Sequence, residues 1–147
     1  MNEEVKSIFR FNGFVINKNV EDITQEESLI TSPAGGSCIN WVLGHVVLTR
    51  DYMHKLLGIE KMLDEKFEKT YSRGAEKINP GDAAEIKDLL GIFNASQEKL
   101  MKVLDETDIR SDKNLLEEIP GLSFHEAYHA GQTGILRRVI GKVGKIK

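Results

Sequence analysis

Apolar residues recur at intervals of three and four in four separate stretches of this chain, and no stretch alternates with period two between hairpin turns. Such spacing gathers apolar side chains on one side of a helix, so the chain must bury helical stripes rather than pleated faces. Val5, Ile8, Phe9, Val15 and Ile16, with Asn12 as a polar exception, predict a first helix over residues 2–18. A second is expected after the loop of Pro33, Gly35 and Gly36, capped by Ser37 and stopped at Gly58, with Trp41, His45, Leu48, Tyr52 and Leu56 on one stripe. Asp82 with Glu85 makes a capping-box pattern ahead of Ile86, Leu89, Leu90, Phe93, Leu100 and Leu104, the third helix. Ser123 with Glu126 repeats the signal after Pro120-Gly121, opening a fourth helix that carries Phe124, Ala127, Tyr128, Ile135, Leu136 and Val139 and stops at Gly141 or Gly144.

The class read from these stretches is all-α, most simply a four-helix bundle, in one domain over residues 1–147. The link from Gly58 to Gly81 is long for a bundle turn, so it is expected to cross the domain and let helices two and three run parallel. At 147 residues a chain buries enough surface to hold a core without staples. A metal would therefore serve function before folding.

The net charge of −3 provides no broad basic field, which argues against nucleic acid or an anionic membrane as partner. Cys38 is the only cysteine, so no disulfide can form within the chain. Residues 1–6 lack the basic and then apolar run of a secretory signal. The longest apolar run, Cys38 to Thr49, is too short to span a bilayer and is interrupted by Asn40 and His45. The expectation is a cytoplasmic protein acting on a small molecule.

His125 and His129 stand four residues apart, about 40° around a helix, where two imidazoles can grip one ion. His45, mid-helix on an apolar stripe, is the best third ligand, because an imidazole without a partner there would be costly. His54, nine residues on, points to the opposite side and is expected to face solvent or a subunit contact. Three neutral imidazoles leave a divalent ion its full charge and an open position, the arrangement of catalytic sites. Such nitrogens suit zinc, nickel, iron and copper, so the donor set does not name the metal.

His125-Glu126-Ala-Tyr-His129 also matches the zinc-protease string H-E-x-x-H. Proteases of that kind take a third ligand further along the chain, yet no His, Asp, Glu or Cys follows His129. Glu126 has a structural role available as the reciprocal member of the Ser123 capping box.

Asn40-Trp-Val-Leu-Gly-His45, together with His125-Glu-Ala-Tyr-His129-Ala-Gly-Gln132 and Leu136-Arg137-Arg138, resembles the DinB/YfiT-like superfamily of metalloenzymes. The likeness extends over the whole chain in length and helix count, though its motifs occupy parts of two helices. It implies a metal triad at His45, His125 and His129 that holds zinc or nickel, with iron or manganese as further candidates, in a four-helix bundle of unusual connectivity and a homodimer. It also implies a metal-dependent thiol S-transferase or related detoxifying activity with a low-molecular-weight thiol as cosubstrate. The alternative is a dimeric stress-response or binding module whose metal only stabilises the bundle.

Gln132 lies seven residues after His125 and Tyr52 seven after His45, so each is a candidate to line the site, against a buried polar bond to a neighbouring helix for Gln132 and plain core packing for Tyr52. Trp41 and Cys38 read as core. The terminal Arg137, Arg138, Lys142, Lys145 and Lys147 would complement the negative end of the last helix and continue into a solvated tail; holding an anionic thiol is the other role open to them.

Overall fold

The computed structural model describes residues 2–146 and contains, among them, six α-helices and no strand. Four are long: α1 (Glu3–Val20), α3 (Ile39–Leu56), α5 (Ile86–Glu106) and α6 (Lys113–Val139). Two are short: α2 (Gln25–Ser28), and α4 (Glu65–Tyr71) within the long link. The all-α class follows, and no described helix is long and apolar enough to cross a membrane.

Polar contacts between helices give their directions. Asn12 Nδ2 donates to the Ser123 carbonyl and Asn19 Nδ2 to Thr133 Oγ1, so α1 and α6 run the same way. Asn40 reaches Ala84 at the head of α5 and Arg50 reaches Ser96 and Gln97, so α3 and α5 are also parallel. Asn2 donates to the Leu104 and Thr107 carbonyls while Asn17 pairs with Asn94, which sets α1 against α5. The link carrying α4 therefore returns the chain along the molecule between two parallel helices.

The core has two apolar clusters. One gathers Ile16, Leu43, Val47, Leu89 and Phe93, and the other gathers Phe9, Met53, Leu100, Leu104 and Ile119. The Arg50 guanidinium lies where they meet, 5.2 Å from the centre of the Phe9 ring and 4.8 Å from that of Phe93.

Both capping boxes read at the heads of the third and fourth helices fail to form. Helix α5 starts at Ile86, and its first amide donates to Gln25 Oε1 rather than to Asp82. Helix α6 starts ten residues ahead of Ser123, at Lys113 behind the Asp112 cap, and runs straight through Pro120 and Gly121. Burial of Leu115 and Ile119 rewards those extra turns. Pro120 is exposed, so the carbonyl it leaves without an N–H partner is on the solvent side. A capping box does form at Thr24 and Glu27, heading α2. Cys38, not Ser37, caps α3 through its buried Sγ.

The deepest side of α3 is rotated from the stripe read in the sequence. Leu43, Val46, Val47, Arg50, Met53 and His54 are buried, whereas Tyr52 is 48% exposed. His54 therefore does not face solvent: its Nε2–H donates to the Ser96 carbonyl at 3.2 Å. The basic end is not simply a solvated tail either. Arg137 is buried and donates to both Asp22 oxygens at 2.5 and 3.0 Å, while Lys142 and Lys145 pair with Glu27 and Glu21. Lys147 lies outside the described residues.

Candidate metal centre

His45 projects from the middle of α3, and His125 and His129 from successive turns of α6. The facing nitrogens converge. His45 Nε2 is 3.3 Å from His125 Nε2, which is 3.1 Å from His129 Nε2, and one ligand atom from each ring lies within 4.8 Å of the others. A tetrahedral zinc ion with Zn–N bonds of about 2.0–2.1 Å spaces its nitrogens roughly 3.3–3.4 Å apart. Two of the three sides, at 3.3 and 3.1 Å, lie close to that spacing, and the third is within 4.8 Å.

The outer nitrogens fix what the inner ones can do. His45 Nδ1 sits 2.8 Å from the Tyr71 carbonyl and His129 Nδ1 2.7 Å from Gln132 Oε1. Both oxygens can only accept, so each Nδ1 carries the proton and each Nε2 presents a lone pair inward. With both rings neutral, two lone pairs converge beside His125 Nε2, where a metal ion or the His125 proton can meet them. Burial, then the charges of His45 and Arg73, push His125 below its ordinary pKa. Burial, outweighing the bond to Gln132, takes His129 down to about 4. His129 is thus neutral near pH 7, the form that ligates a metal.

Local sequence explains how His45 is held. Gly44 lies beneath the Tyr71 ring, where an added Cβ would stand 2.1 Å from a ring carbon, so only glycine admits that approach. Tyr71 is locked by donating its hydroxyl proton to Asn40 Oδ1 and accepting the Ala84 amide, which places its carbonyl against His45. The Trp41 ring stacks on the imidazole at 4.7 Å and 10°. Gln132 is the outer partner of His129 and also lines one of the cavities beside the histidines.

Glu126 turns away from the histidines. It is buried and ion-paired with Arg50, whose Nη2 donates to Glu126 Oε1 at 2.8 Å and whose Nε donates to Oε2. Gln97 Oε1 accepts a further Nη2–H at 2.5 Å. Neither the Ser123 capping box nor water activation describes this carboxylate, since Ser123 Oγ instead donates to the Pro120 carbonyl. Arg50 thereby ties α3 to α6, the two helices that carry the histidines. It escaped the sequence reading, although it stands at i+3 from Val47 on an otherwise apolar stripe.

His45 and His125 border two open cavities. One, of about 480 Å³, is walled by Leu48, Tyr52, Leu122 and Arg73, so Tyr52 does reach the site's edge. The other, of about 380 Å³, has Trp41, Tyr128, Gln132 and again Arg73 on its walls. Cys38 is fully buried and burial raises its thiol pKa, which leaves it inert. No family model, curated protein or solved structure matches the chain.

Proposed function

We propose that this chain is a metal-dependent enzyme of the DinB/YfiT-like type, a four-helix bundle that binds one divalent transition metal through His45, His125 and His129. Zinc or nickel is proposed from the resemblance, since three imidazole nitrogens suit zinc, nickel, iron and copper alike. The observation that carries the reading is the convergence of the Nε2 atoms with two Nδ1 atoms already tied to Tyr71 and Gln132. Side chains arranged in this way hold their tautomers before any ion arrives, which lowers the cost of binding one.

Such an ion, when bound, lowers the pKa of a water or thiol at its open position. The chain's own residues do the rest: Tyr71 and Gln132 aim the imidazoles, and Trp41 shields one face of His45. The open cavities leave room for a metabolite-sized molecule. Thiol transfer to an electrophile, in the cytoplasm and by a homodimer, is the activity proposed from the resemblance. Because Arg50 and Glu126 already join the two ligand-bearing helices, a purely structural metal is the weaker alternative.

The test is turnover of a panel of electrophiles with small thiols by metal-loaded protein. The wild type should turn over at least one pair, and the variant with His45, His125 and His129 all changed to Ala should turn over none. Equal rates in the two would reject the assignment.

A further inference from the structure

The two cavities beside the histidines share Arg73 as well as His45 and His125. Arg73 lies two residues past the end of α4, in a segment held at several points. Two residues earlier Tyr71 is locked to Asn40 and Ala84 and supplies the carbonyl that orients His45. One residue later Gly74 turns at φ 94°, its amide donating to Glu76 Oε1, and the Ala75 amide donates back to the Ser72 carbonyl. The backbone that aims His45 therefore also sets Arg73 at the mouth of the site.

Of the other charges of the larger cavity all but Lys55 have partners. Lys61 pairs with Glu68 at 2.7 Å, and the Asp51 carboxylate accepts the Met62 and Leu63 amides at 2.9 and 3.3 Å. Arg73 makes no ion pair within 4 Å among the described residues; the nearby Glu76 carboxylate, on the wall of the smaller cavity, is held by the Gly74 amide and feels its charge, while the guanidinium stands at the cleft edge. A planar guanidinium matches a carboxylate through two parallel hydrogen bonds, a geometry that an ammonium lacks. Leu48 and Leu122 supply an apolar stretch of the same wall.

We propose that this cleft takes a small molecule bearing a carboxylate, received by Arg73, with its metal-seeking donor directed to the ion that His45, His125 and His129 would hold. The assignment rests on the metal reading above and names the ligand class for that site.

The probes are 3-mercaptopropionate and its uncharged counterpart 3-mercaptopropan-1-ol, titrated calorimetrically into zinc-loaded wild type, Arg73→Met and Arg73→Lys, with zinc content measured first. The wild type should prefer the carboxylate by roughly tenfold, the gain of one charge-assisted pair. Arg73→Met should lose that preference while binding the alcohol as before, and Arg73→Lys should keep part of it. A preference that survives in Arg73→Met overturns the role of Arg73, as does equal binding of the two thiols, or of neither, by zinc-loaded wild type. If the wild type holds no zinc, the metal reading fails and this assignment fails with it. Zinc held by all three proteins without carboxylate selectivity sinks the Arg73 assignment alone.

Discussion

Replacing Glu126 by Ala removes one half of the ion pair between α3 and α6 and leaves a guanidinium where the two apolar clusters meet. Arg50 is fully buried and Glu126 is 2% exposed, so water cannot take over the lost bonds. Gln97 and Ser96 still accept from Arg50, but neither carries charge. Breaking a buried pair in this way costs about 3–5 kcal/mol. In a domain of this size each kcal/mol lowers the melting temperature by roughly 2–4 °C, so a fall of roughly 6–20 °C is expected. The assay is urea and thermal unfolding followed by far-ultraviolet circular dichroism, with chelator present so that metal linkage is removed. Changing both partners, Arg50→Met with Glu126→Leu, should recover much of the loss, because an apolar pair leaves no charge stranded. A cost below about 1 kcal/mol for Glu126→Ala would refute the argument, since that is the worth of an exposed pair. So would a double variant less stable than Glu126→Ala alone.

Three other predictions follow from the same geometry. Gly44→Ala should destabilise the chain despite Ala's helix-propensity advantage of about 1 kcal/mol, because Tyr71 must move; chelator-free unfolding and zinc titration should both worsen. Gln132→Leu should weaken zinc binding roughly 10–100-fold by freeing the His129 ring, while chelator-free stability stays near that of the wild type. Burial holds His54 below its ordinary pKa of 6.5, so the unfolded chain takes up that proton first. Its contribution is complete above pH 6.5 and is lost as pH falls below that value. In chelator, His54→Gln should therefore show a shallower decline of stability below pH 6.5 than the wild type, and parallel curves would contradict the assignment.

The helical class and the histidine triad were readable because both rest on local spacing. An i, i+4 pair shares a face wherever its helix goes, and an imidazole on an apolar stripe must find a partner. Helix boundaries depend instead on what the ends bury. Leu115 and Ile119 drew α6 back past Pro120, which detached Ser123 and Glu126 from the cap their spacing suggested. Freed from that cap, Glu126 met Arg50. On α3 the error was one of rotation, since taking Tyr52 for the inner stripe turned His54 outward. The alternative stripe of Leu43, Val47, Arg50 and His54 has the same period but contains a cation, which only Glu126, from far along the chain, makes tolerable. Tyr71 and Arg73 had no local signature at all, because their places depend on how the link returns over α3.

The central claim is that the imidazoles at positions 45, 125 and 129 meet on a single ion. Zinc titration of chelator-stripped protein tests it most directly, on the wild type and on His45→Ala, His125→Ala and His129→Ala separately, beside His54→Gln as control. The account predicts about one zinc per chain in the wild type and the control, with each of the three single variants losing most of that affinity. Undiminished binding in any one of the three, or no binding by the wild type, would contradict it.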